Sequence, residues 1–309
     1  MLGFGGKIKG ASNPIGVAVT AKDVCLAQVT SAGVVFEREP LSNEVAITDP
    51  NFHTETQRAI GTALRRGKFA GKQAVSALPA DLLRYKTLRL PPMPEEDLAQ
   101  AVAWEAAERF QLTDSEALQH YRAGTVEQGN EKREEIIMLA AEKNAVYDHA
   151  MAVKQAGLMP TAIDATAAAL ARVLGSADQS TLTIHLTGTI AEVVGHKGDR
   201  VIFDKPIELA ELNGAINVIE LAREVGLCIR YLSVTFGVHK PDAIWVAGKD
   251  VDNHIAEQLA DALHAEVLTA DQSPALAKLG LPGSDPTQYC VALGLATRNL
   301  KGSAKRGAA

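Results

Sequence analysis

The chain reads as an α/β molecule of two lobes made by duplication, with a small α+β insertion in the first half. Two observations predict this. A run of three strands, a helix and a further strand stands near the N-terminus, and the same run recurs after residue 180. A repeated unit of this size is a strong topological signal, because one solution for burying its apolar faces serves twice. Composition is the second: 47% of the 309 residues are hydrophobic but only 5% are aromatic. A core of Ala, Val and Leu suits elements packed at close range.

The elements follow in order. Residues 1–12 are rich in Gly and Lys and are expected to form a leader outside the fold. Residues 15–19 and 24–29 read as strands around the turn Thr20-Ala21-Lys22-Asp23, and a third strand lies near 34–36. Residues 54–67 read as a helix, with Ile60 and Leu64 four apart and Gly67 as its C-terminal cap, before a strand at 73–78. These make a first half over 13–82.

The insertion is expected over 83–158. It opens with a strand at 83–90 that ends at Pro91-Pro92. A helix over 94–110 follows, with Pro94 in its first turn and Glu95, Glu96 and Asp97 at the positive end of the helix dipole. Leu98, Ala101, Val102, Ala106 and Phe110 form its apolar stripe, and Glu105 and Arg109 can pair at i,i+4. Strands at 117–126 and 134–141 flank the turn Glu127-Gln128-Gly129-Asn130. A helix over 144–156 is closed by Gly157, and a short strand occupies 161–163. The second half, 159–298, repeats the meander at 182–186, 190–195 and 201–203, with a turn over 196–199, a helix over 215–235 and a strand at 243–247. Residues 299–309 carry a basic, solvated tail.

Charge and motifs exclude several functions. Net charge is −6, from 31 Lys and Arg against 37 Asp and Glu, which argues against nucleic-acid binding through a basic surface. Cys25, Cys228 and Cys290 lie far apart in apolar runs, without metal-ligand spacing, and read as small core residues of a reduced, cytoplasmic protein. There is no HExxH pair, no Walker loop and no Gly-x-Ser-x-Gly elbow. No stretch approaches the ~20 apolar residues of a membrane span, and the start lacks the apolar core of a signal peptide.

Leu90-Pro91-Pro92-Met93-Pro94-Glu95-Glu96-Asp97-Leu98 and Trp104-Glu105-Ala106 resemble the PilM family of type IV pilus assembly. Ala141-Glu142-Lys143, Lys154-Gln155-Ala156-Gly157-Leu158-Met159-Pro160, Ala168-Ala169-Leu170-Ala171-Arg172 and Val291-Ala292-Leu293-Gly294-Leu295-Ala296 extend the resemblance over nearly the whole chain. It implies a duplicated actin-like (RNase H-like) fold of the FtsA type. It also implies a place at the inner face of the inner membrane, reached through partners. The partner it implies is a membrane-anchored pilus or secretion protein, PilN-like, gripped by its short cytoplasmic tail. The weak candidates for that contact are Trp104, Glu105 and Arg109.

The chain departs from nucleotide-binding members of this fold at three places. Each of their two β-turns carries an Asp and, two residues on, a Gly. Here these positions hold Ala18 and Thr20 in the first turn and His185 and Thr187 in the second. The third signature, a Gly cluster against the adenosine, is reduced to Gly248. The small subdomain expected between Phe203 and Leu221 is also missing. No catalytic residue, metal ligand or cofactor is therefore expected, and the reading is a scaffold that does not hydrolyse ATP. Two alternatives stay open: an atypical ATPase binding Mg-ATP through backbone amides, with Asp23 as its nearest carboxylate, and a self-associating, FtsA-like filament element.

Overall fold

The computed structural model describes residues 13–298 apart from 43–44, 110, 114, 177–178, 189, 199, 210, 213–214, 250, 278 and 280–285. The leader, the tail, Phe110 and Asp250 thus lie outside the described residues.

The first half opens with strands β1 (Ile15–Val19), β2 (Asp23–Thr30) and β3 (Gly33–Pro40), helix α1 (Phe52–Arg66) and strand β4 (Gln73–Ala77). Next come β5 (Arg84–Leu90), α2 (Glu95–Arg109), β6 (Glu116–Gln128), β7 (Glu131–Glu142), α3 (Lys143–Gln155), β8 (Met159–Asp164) and α4 (Thr166–Leu174). The second meander is β9 (Ser180–Leu186), β10 (Ile190–Lys197) and β11 (Arg200–Glu208), followed by a ribbon of β12 (Glu211–Leu212) and β13 (Ala215–Ile216). The chain continues through α5 (Val218–Phe236), β14 (Ala243–Gly248), α6 (Asn253–Leu263), β15 (Val267–Thr269), α7 (Pro274–Ala277) and α8 (Cys290–Ala296).

The two large sheets have the same topology, β3-β2-β1-β4-β8 and β11-β10-β9-β14-β15. In each, three antiparallel strands precede two that run parallel to the first. The central strands are buried on both faces, which explains unbroken apolar runs such as Ile15-Gly16-Val17-Ala18-Val19. Helix α1 covers the first sheet with Phe52, Thr56, Ala59, Ile60 and Ala63 on one stripe. Helix α5 starts at an Asn217 cap whose side chain accepts the Glu220 N–H at 3.2 Å, and ends at Gly237 in the left-handed conformation. It begins three residues later than the 215–235 helix predicted, because Ala215 and Ile216 pair in the β12–β13 ribbon.

Gly67 caps α1 as expected, donating its N–H to the Ala63 carbonyl at 3.0 Å, at φ −83° and with Phe69 and Glu37 packed against it. Other local expectations are corrected. His196 and Lys197, read as a turn, belong to β10 and pair with Thr181 and Ser180 of β9. Strand β8 pairs with β4, and the Val153 and Leu158 side chains flanking it join the core of α1. The separate sheet of the insertion is β5-β7-β6, covered by α2 through Leu98, Val102 and Ala106.

The halves meet through α4 and α8, which lie against each other, α8 against β1, β2 and β4 and α4 against β9, β10 and β11. Their residues are nearly all buried Ala, Gly, Val and Leu. A Cβ on Gly16 would collide with the Ala292 carbonyl oxygen, and one on Gly294 with that of Ala169. Arg172 reinforces the crossing by donating to the Gly294 carbonyl at 2.7 Å and pairing with Asp164 at the end of β8. Cys25, Cys228 and Cys290 are all buried free thiols.

The insertion docks on the second half through polar groups. Tyr231 of α5 donates to Glu135, which also takes Arg89 at 2.8 Å, and Tyr121 donates to Asp204 at 2.8 Å. Asp204 faces Glu192, another buried acid, with Tyr85 alongside. Burial holds both carboxyls above their ordinary range, Asp204 at about 7; the Asp204 charge adds to the rise at Glu192, while hydrogen bonds with Tyr121 and Glu192 oppose it at Asp204.

Two predictions follow from this packing. Gly16→Ala should lower unfolding stability by about 3 kcal/mol, since backbone cannot give way to a new methyl. Gly61→Ala, whose Cβ would meet only the Arg65 side chain at 3.6 Å, should be neutral or gain up to ~1 kcal/mol in urea titrations. Equal effects would refute the close-packing account. For Glu192, a folded pKa above the unfolded value means stability complete below pH ~4.5 and lost as pH rises toward the folded pKa. Glu192→Gln should therefore raise the urea midpoint at pH 8 while leaving it nearly unchanged at pH 4.

Candidate functional site

Between the halves lies a cleft floored by α4 and α8 and capped by the two hairpin turns. Its cavity of about 60 Å³ has room for a few waters at roughly 10–15 Å³ each. Ala18, Thr20, His185 and Thr187, the four turn positions singled out in the sequence, all line it. The duplication extends to their hydrogen bonds. The Thr20 N–H donates to the Asp23 carbonyl at 2.9 Å, and the Thr187 N–H donates to the Ile190 carbonyl at 2.9 Å. Each threonine hydroxyl is turned inward on its own hairpin. Thr20 Oγ1 accepts the Lys22 and Asp23 amides at 3.1 Å, and Thr187 Oγ1 donates to the Ile190 carbonyl at 3.0 Å.

Asp23, the carboxylate nearest the first turn, is committed elsewhere. Its Oδ2 takes Arg38 Nε at 2.8 Å and its Oδ1 takes the Thr20 hydroxyl at 2.8 Å, on a residue only 4% exposed. A buried carboxylate needs such partners to remain charged, and pairing leaves it little capacity to ligate a cation. His185 opposes Glu192 across β9–β10 and Ala247 across β9–β14. Burial pushes its pKa down to about 4, against a smaller upward pull from Asp23, so the ring is neutral near pH 7.

The two turns also touch. Gly188 adopts φ +101°, and a Cβ there would come within 2.8 Å of Lys22 Cε, so the lysine stem crosses the space between the hairpin tips. Gly248, at φ +126°, has its Cβ position blocked by the Leu186 carbonyl. Its glycine requirement therefore comes from strand β9 beside it and not from an open face. The carbonyl of Gly248 accepts the Thr287 hydroxyl at 3.0 Å, tying this turn to the segment before α8.

Sequence reasoning missed Lys22, Asp81, Glu192 and Lys249 as cavity residues. Lys22 was within the quoted turn, but nothing in the chain order signals that its stem reaches the other hairpin. Glu192 interrupts an otherwise apolar strand, and a buried charge in such a run was the available signal. Trp104, Glu105 and Arg109 lie on α2, outside the cavity lining. Trp104 is 74% exposed, and Glu105 and Arg109 pair with each other at 2.6 Å. Among the described residues no helix is long and apolar enough to cross a membrane.

No protein-family model and no curated protein matches the chain. Solved structures do. A structure of the PilM-PilN type IV pilus biogenesis complex aligns at a TM-score of 0.74, with 18% identity over 93% of this chain and 98% of that one. A Bacteroides thetaiotaomicron protein with an actin-like ATPase fold and unknown function aligns at 0.52, with 8% identity over 91% and 95%. With the two matching five-stranded sheets and the cleft between them, the chain has the two-lobed actin-like fold.

Proposed function

We propose that this protein is a scaffold of a type IV pilus or related secretion machine that works without hydrolysing ATP. It holds the short cytoplasmic tail of a membrane-anchored, PilN-like partner at the inner face of the inner membrane. The contact of Lys22 with Gly188 carries this reading, because the lysine stem occupies the gap between turns where phosphates would have to approach backbone amides. Asp23, the carboxylate of the first turn, is committed to Arg38, which leaves it little capacity to ligate Mg²⁺ beside that gap. These two features favour a cleft that works without Mg-nucleotide. The partner half of the proposal is supported by the fold match to PilM solved together with PilN, over nearly all of both chains. The insertion, whose β5-β7-β6 sheet docks on the second half, supplies a surface for an extended tail, a common mode of peptide capture.

The test is thermal unfolding of the full chain with Mg-ATP, Mg-ADP, and a peptide of the cytoplasmic tail of a PilN-like, single-span membrane protein. Ligand at a hundredfold excess over its dissociation constant stabilises a protein by roughly 2.7 kcal/mol. The tail peptide should raise the midpoint saturably while nucleotide at millimolar concentration leaves it unmoved. A saturable nucleotide shift would overturn the nucleotide-independent part, and a tail peptide without effect would overturn the partner.

A further inference from the structure

The joint between the insertion and the second half contains two acids with no counter-charge. Asp204 of β11 is paired with Val194 of β10, two residues from Glu192. Cross-strand partners share a face, as do residues two apart on one strand, so both carboxyls point the same way. There they meet the insertion: Tyr121 of β6 donates to Asp204 at 2.8 Å, and Tyr85 of β5 stands beside Glu192. Glu192 is 1% exposed and Asp204 8%. Both Glu192 oxygens and Asp204 Oδ1 are buried without a donor among the described residues.

The charged groups of the surrounding elements are occupied elsewhere. Lys205 points to the opposite face and takes Glu224 of α5 at 3.2 Å. Arg172, the one charged residue of α4, pairs with Asp164 at the end of β8, as does Arg298 at 3.5 Å. Arg200, at the start of β11, lies against Gly124 of β6. Burial holds His185 of β9 and His196 of β10 neutral near pH 7. Lys22, Asp81 and Lys249 line the cavity that Glu192 also borders, and none of them reaches its oxygens. Glu135, the other acid of the joint, differs in having Arg89 at 2.8 Å as its counter-ion.

Two facing carboxylates out of water and without a cation do not both stay ionised, and a hydrogen bond between them needs a proton on one. We propose that this shared proton is a latch: it keeps the insertion docked on the second half, and its loss frees the insertion while both bodies stay folded. The cavity beside Glu192 gives the proton a path to water without unfolding. Docked, both acids sit above their ordinary range, Asp204 at about 7. Undocked, they regain water and their ordinary values near ~4. Docking is therefore strongest below about pH 4 and weakens about tenfold per pH unit from there to about 7, the slope of one proton taken up on docking. The latch acts on the joint of the insertion whatever that surface holds, and it stands or falls apart from the proposed function.

Thiol accessibility in the full chain tests this. Ala123 of β6 is buried in the central core on the same face as Tyr121, so Ala123→Cys places a reporter in the joint. Its labelling rate, divided by the rate in the urea-denatured chain at the same pH, gives the fraction of chains with the joint open. That fraction should rise about tenfold per pH unit between about pH 5 and 7 and exceed the fraction reported by buried Cys25, Cys228 and Cys290, which label on global unfolding. An amide supplies an N–H in place of the shared proton. Glu192→Gln and Asp204→Asn should each flatten the rise, and the two together should remove it, with circular dichroism at pH 5 checking each fold. A flat wild-type profile overturns the proposal, as does a rise that persists in the double variant. So does a reporter that labels no faster than the native cysteines at every pH.

Discussion

The crossing of α4 and α8 over β1 is the contact on which the rest of the molecule depends. There the backbone itself is the packing surface: Gly16 faces the Ala292 carbonyl and Gly294 faces that of Ala169. Side chains elsewhere in a core can shift to absorb a misfit, but two backbones at this distance have no such slack. The low aromatic content follows, since a bulky ring has no place where helices are wedged between two sheets. Arg172 fastens the crossing by joining Asp164 of the first sheet to the last helix through Gly294. The sheets are thereby held at one separation, and the width of the cleft above them is set.

On that frame the two hairpin turns are near copies that have diverged in what they do with polarity. Both close with a threonine whose amide and hydroxyl are satisfied on the hairpin. The first keeps a carboxylate, Asp23, three residues on, where the second has Ile190. Asp23 is stabilised by Arg38 from the outer strand, which uses its charge to join β2 to β3. The second turn has the flexible element, Gly188, and the first has the long side chain, Lys22, so the tips interlock. Polarity in this cleft is directed inward to its own turns, with neutral His185 and Glu192, an acid whose pKa burial raises, behind them.

The sheets were legible in the sequence because their signals are local. Ile15 to Val19 is apolar at every position, and Gly129 and Gly157 mark turns by the positive φ they adopt. The duplicated order of elements was enough to predict a two-lobed architecture, and the fold comparison agrees. What escaped is non-local. No property of residues 159–164 reveals that they pair with β4 across the whole insertion. Gly248 looked like an ordinary turn residue, yet the Leu186 carbonyl of strand β9 blocks the place of a side chain there. His196 and Lys197 were polar enough to suggest a turn, and only the burial of His196 between strands explains their place in β10. At the cleft, the identities at positions 18, 20, 185 and 187 could be read, but the bridge from Lys22 to Gly188 could not.

The pairing of β8 with β4 also orders the birth of the molecule. A chain leaving the ribosome exposes β1 to β4 early, but their sheet stays one strand short until Asp164 has emerged. Residues 84–142 between them contain a sheet whose strands are neighbours in sequence, with its own helix and its own small core. Closing local loops is fast and closing long ones is slow. The insertion thus matures ahead of the half that hosts it, and the two glycine contacts at Gly16 and Gly294 join only when the last helix arrives. A fold whose tightest junction joins β1 to α8 leaves its central joint open until α8 has been made, and commits its halves to each other in a single late step.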